Sequence, residues 1–221
     1  MEGNQFGIVL CTLLVILFLE KYQPYIGKIH VFSFLHACTT TIVSHMLLWE
    51  NPWRFMTIYN EEYTSLSTFY QLFPYFSYGF GFYDLYYGFR VQKFDFCLHG
   101  VLFVVSTYTM DQFQVMHYYY PGIIMETSNI IYNFVPYEKD WVNICFGLTF
   151  LAYRCVFFPT YYAIFIYTKW NELWKEDMNM YKYIFGLAFV ANTLNMYWGG
   201  KIIRKMQNKW NSYKNPLHRD D

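Results

Sequence analysis

The ionisable side chains that could do chemistry stand singly inside long apolar stretches of this chain. His99, Glu126 and Arg154 carry the groups whose burial in such surroundings is most costly. An imidazole beside a carboxylate can transfer a proton, and a guanidinium can hold the carboxylate or an anionic ligand. We therefore expect His99 and Glu126 to face one chamber. The residues leave open whether Glu126 meets a ligand or only pairs with Arg154.

Further polar residues recur at helical spacing and predict polar faces on the helices that carry them. These faces are Ser33, His36 and Thr40; His99 and Ser106; Glu126, Asn129 and Asn133; and Asn192 with Asn195. Together they indicate a bundle with a polar stripe in an apolar lining, which would suit a lipid. Hydrogen bonds between helices are the other interpretation, and we favour it for Ser33, Thr40, Asn192 and Asn195.

The composition places the chain outside the soluble classes. Of 221 residues, 55% are hydrophobic and only 14% are charged, whereas soluble domains carry about 25% charged residues. Sixteen basic and sixteen acidic groups cancel, so nothing indicates a nucleic-acid partner. The five cysteines form no CxxC pair and the histidines form no cluster, so we expect no metal site.

Apolar stretches of membrane-spanning length divide the chain. A helix needs about 20 mostly apolar residues to cross a bilayer. We predict an all-α integral membrane protein with about seven transmembrane helices, at residues 5–20, 29–49, 66–89, 94–110, 113–134, 141–168 and 181–204. The first is expected to be a retained helix, because it has neither a basic n-region nor a following cleavage site.

The distribution of lysine and arginine predicts an orientation. With the N-terminus outside, the cytoplasmic side receives most basic residues, including the tail residues Lys201, Arg204, Lys205, Lys209, Lys214 and Arg219. The opposite side receives Arg54, Lys169, Lys175 and Lys182. Because cytoplasmic segments are enriched in basic residues, we predict a lumenal or outside N-terminus and a cytoplasmic C-terminus.

Six short motifs follow one another along the chain. They are Ser33-x-x-His36-Ala37, Tyr83-Asp84-Leu85, Lys93-Phe94-Asp95-Phe96-Cys97-Leu98-His99, Glu126-x-Ser128 with Asn133, Arg154 with Pro159, and Asn192-x-x-Asn195-x-x-Trp198. In these motifs the chain resembles the TLC-domain family, which includes ceramide synthases, the translocating-chain-associated protein and the CLN-type proteins. The resemblance covers about residues 27–206.

The resemblance implies a domain organisation and a site. Residues 1–26 would form an N-terminal helix and joint, 27–206 a six-helix TLC-type bundle around a lipid-sized cavity, and 207–221 a basic cytoplasmic tail. The family also implies the membrane of the endoplasmic reticulum. The residues expected at the cavity are Ser33, His36, Asp84, His99, Ser106, Glu126, Asn129, Asn133, Arg154, Asn192, Asn195 and Trp198.

The chain departs from the ceramide synthases of that family at two places. Those enzymes have two adjacent histidines and, about a helix later, two acids. Here Leu98-His99-Gly100 holds one histidine, and Asn129 stands where the second acid would be. Similarity to the non-synthase members implies a protein that binds membrane lipid and regulates lipid composition or trafficking, with no cofactor.

Two other functions are alternatives. The first is an acyl-CoA-dependent N-acyltransferase, with His99 as base, Glu126 as acid or orienting group, and acyl-CoA as co-substrate. Such an enzyme needs a cytoplasmic portal for CoA flanked by basic residues such as Arg90 or Lys93. The second is a partner or chaperone of other membrane proteins.

Overall fold

The computed structural model describes residues 3–22, 25–27, 29–51, 53, 66–175 and 179–214. Within them the chain is mostly helical, with short turns and two antiparallel two-residue strands, β1 (Tyr25–Ile26) and β2 (Ile29–His30). The α-helices are α1 (Gly3–Tyr22), α2 (Val31–Glu50), α3 (Thr68–Leu72), α4 (Pro74–Arg90), α5 (Phe94–Gln112), α6 (Tyr119–Ile123), α7 (Thr127–Tyr132), α8 (Asp140–Phe150), α9 (Phe158–Leu173) and α10 (Asn179–Lys214). The all-helical part of the predicted fold class is confirmed.

The third predicted span, 66–89, is not one helix. It is divided into α3 and α4 at Phe73. Pro74 is the first residue of α4 and has no backbone N–H with which to continue α3, whereas the first position of a helix tolerates proline.

The fifth predicted span, 113–134, is likewise broken. Short 3₁₀ turns at Met116–Tyr118 and Ile124–Glu126 alternate with α6 and α7. Pro121 lies inside α6 and removes a donor from the helical ladder. In place of one continuous helix, the span is a series of tight turns, and Glu126 ends one of them.

The sixth predicted span, 141–168, lies within a helical run that includes a π-helical turn. α8 passes into π-helical residues Leu151–Phe157, and these pass into α9. Phe158 donates its backbone N–H to the Tyr153 carbonyl, five residues back. Pro159 follows with no N–H to donate, so the ordinary ladder is interrupted here. Arg154 lies inside this turn.

The last helix is longer than the span 181–204 predicted for it. α10 has 36 residues, about 54 Å at 1.5 Å per residue, against a bilayer core of about 30 Å. The helix continues through residues 207–214, so the first half of the predicted tail is helical. Residues 1, 2, 23, 24 and 215–221 of the predicted terminal segments lie outside the described residues.

Two glycines bring α4 and α5 into close contact. A Cβ atom on Gly100 would lie 2.6 Å from the Gly81 carbonyl oxygen, and one on Gly88 would lie 2.6 Å from the Cys97 backbone nitrogen. Backbone atoms cannot move aside as a side chain can, so only glycine allows this approach. The contact sets Asp84 of α4 opposite His99 of α5.

Two helical runs among the described residues are long and apolar enough to cross a membrane. They are Val31–Glu50 and Asp140–Glu172, and Gly7–Phe18 is a shorter apolar helix. Seven spans were predicted, so this criterion supports only part of that count. The helix α4 has 17 residues, fewer than the roughly 20 that cross a bilayer, and the phenol hydroxyls of its tyrosines also lower its mean hydropathy.

Candidate functional site

Glu126 lies at the centre of a buried polar cluster. Its side chain is buried, with 3% of the residue exposed. Its Oε1 atom lies 3.3 Å from Arg154 Nη2 and 3.5 Å from His99 Nε2. Its Oε2 atom accepts a 2.6 Å hydrogen bond from Asn129 Nδ2 and lies 3.9 Å from His36 Nδ1. The 3₁₀ turn that ends at Glu126 thus directs one carboxylate toward side chains from four other elements.

His99 lies between two carboxylates. Its Nδ1 atom is 2.6 Å from Asp84 Oδ2, and its Nε2 atom faces Glu126. Asp84 is buried on α4, and the glycine contact of α4 with α5 makes the short distance attainable. A carboxylate on one ring nitrogen orients the imidazole and leaves the other nitrogen directed at Glu126.

Arg154 forms hydrogen bonds with the interrupted helical segment that carries Glu126. Its Nε atom donates to Ser128 Oγ at 2.9 Å, and Nη2 donates to Asn129 Oδ1 at 3.1 Å and to Glu126. The guanidinium also lies over the Phe150 ring, 5.3 Å from its centre. These contacts meet the requirement that a buried charge be paired and hydrogen-bonded.

His36 packs beside the cluster, next to the Glu126 carboxylate. It is fully buried, its Nε2 atom lies 2.9 Å from Ser77 Oγ, and its ring stacks on Phe80 at 3.7 Å. Its Nδ1 atom faces Glu126 but has no hydrogen-bond partner in the described part of the chain. The imidazole therefore fills space and adds a polar edge beside the carboxylate.

An apolar cavity opens from this cluster. It holds about 1040 Å³ of space free of protein atoms, some of it open to the exterior. Its wall includes residues 99–110 of α5 and 184–198 of α10, so it extends roughly 15–20 Å at 1.5 Å per residue. His99, Glu126 and Arg154 line it beside many apolar side chains, among them Phe103, Phe158, Phe165, Ile184, Leu187 and Leu194.

The structure brings part of the predicted set together at this cavity. The predicted residues on its wall are His99, Ser106, Glu126, Arg154, Asn195 and Trp198. His36 and Asn129 lie in the cluster without lining the cavity, and Asn192 donates to the Ala188 carbonyl oxygen of its own helix. That these residues contact lipid stays a prediction.

A second cavity, called the polar cavity because its wall is more polar than that of the first, lies on the other side of the Asp84–His99 pair. It holds about 1360 Å³ of open space, and its wall includes Asp84 but not His99. The predicted residues Ser33 and Asn133 line it too, together with Lys205 and Lys209. The hydrogen bond between Asp84 and His99 therefore joins the walls of two cavities of different polarity. Arg90 and Lys93, the basic residues expected at a portal, are not on its wall.

Sequence reasoning missed several groups of the cluster. Ser77 meets His36 from a position 41 residues away, and no local pattern indicates such a pair. Ser128 had a signal, since it follows Glu126 by two residues in a quoted motif. The sequence indicated the π-helical turn that contains Arg154 more weakly, through Pro159. In the described part of the chain, no three His, Cys, Asp or Glu side chains are grouped as metal ligands.

Comparison with protein families identifies a domain that covers most of the chain. A family model described as the TLC domain matches residues 27–204, which is most of the chain and nearly all of its described helices. No curated protein and no solved structure matches significantly.

Proposed function

The chain belongs to the TLC-domain family, and on that premise we propose that it is an integral membrane protein that binds a membrane lipid. Its role would be to regulate lipid composition or trafficking, as the family resemblance implies. The observation that carries the proposal is the apolar cavity with a buried polar cluster at its wall. An acyl chain suits the Phe and Leu side chains, and a polar head group suits the side of His99 and Glu126.

The outer surface of the bundle supports a place in the bilayer. Large apolar side chains are exposed on helices from both ends of the chain, for example Leu14, Ile42, Val156 and Phe189. Exposed apolar side chains of this number and size are costly in water, whereas lipid tails solvate them. Several ionisable side chains are instead buried, among them Asp84, Glu126 and Arg154.

The charges of the cluster favour an uncharged or amine head group. Glu126 is already paired with Arg154, and Asp84 with His99. When His99 is protonated, the carboxylates of Asp84 and Glu126 balance the positive charges of His99 and Arg154. When His99 is neutral, the cluster carries one net negative charge. A phosphate head group bound at this cluster would lie close to the Glu126 carboxylate, and the two negative charges would repel each other.

Mass spectrometry of co-purifying lipids tests the proposal. We expect one lipid class to be enriched with the wild-type protein and lost from Ala191→Phe, whose phenyl ring would fill the cavity that Ala191 lines. Ala163→Phe is the matched control, because Ala163 is exposed on α9. Equal lipid content in the two variants would overturn cavity binding, and no enrichment in any of them would favour a partner of other membrane proteins.

An N-acyltransferase is the second candidate, and the Asp84–His99 hydrogen bond favours it. A carboxylate-oriented imidazole can take the proton from an amine as its nitrogen attacks an acyl-CoA thioester. The thiolate of CoA would leave, and the proton on His99 would pass to it. The polar cavity with Lys205 and Lys209 would then be the entry for CoA, in place of a portal at Arg90 or Lys93.

Incubation with palmitoyl-CoA and sphinganine tests this second candidate. An amide product formed by the wild type and His45→Ala but not by His99→Ala would support it. His45 is the control because it bonds the Thr41 carbonyl oxygen and Tyr153, away from the cavity. No product from the pure, folded wild-type protein would exclude it for these substrates.

The compartment and the orientation also belong to the proposal. The endoplasmic reticulum is proposed from the family, and the cytoplasmic C-terminus from the basic residues of the last helix and tail. Lys205 and Lys209, which line the polar cavity, would then face the cytoplasm.

A further inference from the structure

Among the described residues, three hydroxyl groups on the wall of the apolar cavity have no hydrogen-bond partner. One is Tyr119 Oη, which lies beside Ser77 at the polar cluster. The other two are Thr107 Oγ1 on α5 and Tyr162 Oη on α9. Thr107 is 1% exposed, so bulk solvent does not satisfy its hydroxyl. Both residues line the cavity, and neither belongs to the cluster around Glu126.

Thr107 differs from other helical threonines of this protein. The hydroxyls of Thr12, Thr149 and Thr168 each donate to the carbonyl oxygen four residues back. This local bond is the usual way for a threonine in an apolar helix to satisfy its hydroxyl. Thr107 does not make it, so its donor is available to an occupant of the cavity.

Thr107 and Tyr162 stand at matching positions along two helical runs that begin at the polar cluster. Thr107 follows His99 by eight residues, and Tyr162 follows Arg154 by eight. His99 and Arg154 both contact Glu126, and each helix then continues along the cavity wall. The backbone of each residue is therefore about 12 Å further along its helix than the cluster residue, at roughly 1.5 Å per helical residue.

A buried donor without a partner is costly. The surrounding wall is apolar, with Phe103, Met110 and Phe165 among its residues, and apolar cavities do not hold water well. An oxygen carried by the ligand would satisfy both hydroxyls without exposing the cavity to water.

We infer that the ligand of this cavity is an amphiphile with a second polar group, a hydroxyl or carbonyl oxygen, part way along its apolar body. The inference rests on the proposed lipid binding and deepens it. The head group lies at His99 and Glu126, and the second oxygen bonds with Thr107 Oγ1 and Tyr162 Oη. A lipid with an unbroken hydrocarbon chain fills the same space but leaves both hydroxyls without partners.

Native mass spectrometry of the full chain in detergent tests this by competition. The probes are oleyl alcohol and ricinoleyl alcohol, which is the same molecule with one further hydroxyl in the middle of its chain. With equal amounts present, we expect the wild type to bind ricinoleyl alcohol in about three- to tenfold excess, the ratio for one or two net hydrogen bonds.

Isosteric variants show whether the two hydroxyls cause the preference. Thr107→Val and Tyr162→Phe should each lower the ratio toward unity while still binding both probes. Thr193→Val and Tyr167→Phe should keep the wild-type ratio, because Thr193 and Tyr167 are exposed outside the cavity. Thermal unfolding of Thr107→Val at or above the wild-type temperature would establish that this variant is folded.

The outcomes separate this inference from the proposed function. Equal binding of the two probes by the wild type, or a preference unchanged in Thr107→Val and Tyr162→Phe, would overturn the inference and leave lipid binding standing. Binding of neither probe, together with no co-purified lipid, would overturn both.

Discussion

At the scale of single residues, the protein is organised around one carboxylate. Glu126 meets Arg154, His99 and Asn129 within 3.5 Å. Each of these neighbours has a further partner: Ser128 for Arg154, Asp84 for His99, and the Arg154 guanidinium for Asn129. A charge at this depth is tolerated because the network leaves little of its polar surface without a partner.

The change Glu126→Gln should destabilise the fold by roughly 3–5 kcal/mol, because it leaves the Arg154 guanidinium buried without its counter-charge. Denaturant unfolding in detergent micelles measures the loss. The double variant Glu126→Gln with Arg154→Met should lose less stability than the two single changes together, since both charges are then gone. Unchanged stability of Glu126→Gln would show that the pair adds nothing to the fold.

At the scale of secondary structure elements, the site depends on departures from regular helices. The 3₁₀ turn at Ile124–Glu126 directs the carboxylate inward, and the π-helical turn at Leu151–Phe157 directs Arg154 toward it. The glycine contact of α4 with α5 brings Asp84 to His99. Irregular turns of this kind are frequent at functional sites, because they aim side chains in directions that a regular helix does not offer.

The change Gly100→Ala should weaken this contact. The added methyl would lie 2.6 Å from the Gly81 carbonyl oxygen and 2.7 Å from the Leu85 backbone nitrogen, and such overpacking costs about 1–3 kcal/mol. Gly186→Ala is the matched control, since nothing lies within 4 Å of its added Cβ. It should raise stability slightly through helix propensity. Thermal unfolding in detergent compares the two, and equal effects would contradict the close approach.

At the scale of the whole molecule, large apolar side chains lie on the outer surface as well as in the core. Large apolar side chains face outward on α1, α2 and α10, and the polar cluster is inside. The two cavities continue this arrangement, because an apolar and a polar chamber meet at the Asp84–His99 pair. A lipid could therefore place its chain in one chamber and its head group at the entrance to the other.

Glycosylation mapping in microsomes tests the orientation. The chain has no Asn-x-Ser/Thr sequon of its own, so an added sequon reports its location without background. A tag at the N-terminus should be glycosylated and one after Asp221 should not, because the basic end is expected in the cytoplasm. The reverse pattern would contradict the proposed orientation.

Much of the helical architecture followed from the sequence. The predicted stretches 29–49 and 94–110 differ from α2 and α5 by two residues or fewer at each end, because apolar runs with clear joints determine such helices. The predicted helix 113–134 differs more from the structure, because proline shows where a helix is interrupted but not which turns replace it. Three residues of the cluster, His99, Glu126 and Arg154, were predicted from the sequence because each is an isolated ionisable residue in an apolar stretch.

The sequence by itself determined the family, the helical class and the charged residues of the cluster, because each depends on residue type and on spacing along one helix. Only the tertiary structure decided that Ser77 meets His36 and that Asp84 and His99 join two cavities. It also decided that the Thr107 and Tyr162 hydroxyls, on the wall of one cavity, find no partner among the described residues. Those facts depend on how separate helices approach and turn, and spacing within one helix does not specify the distance to another.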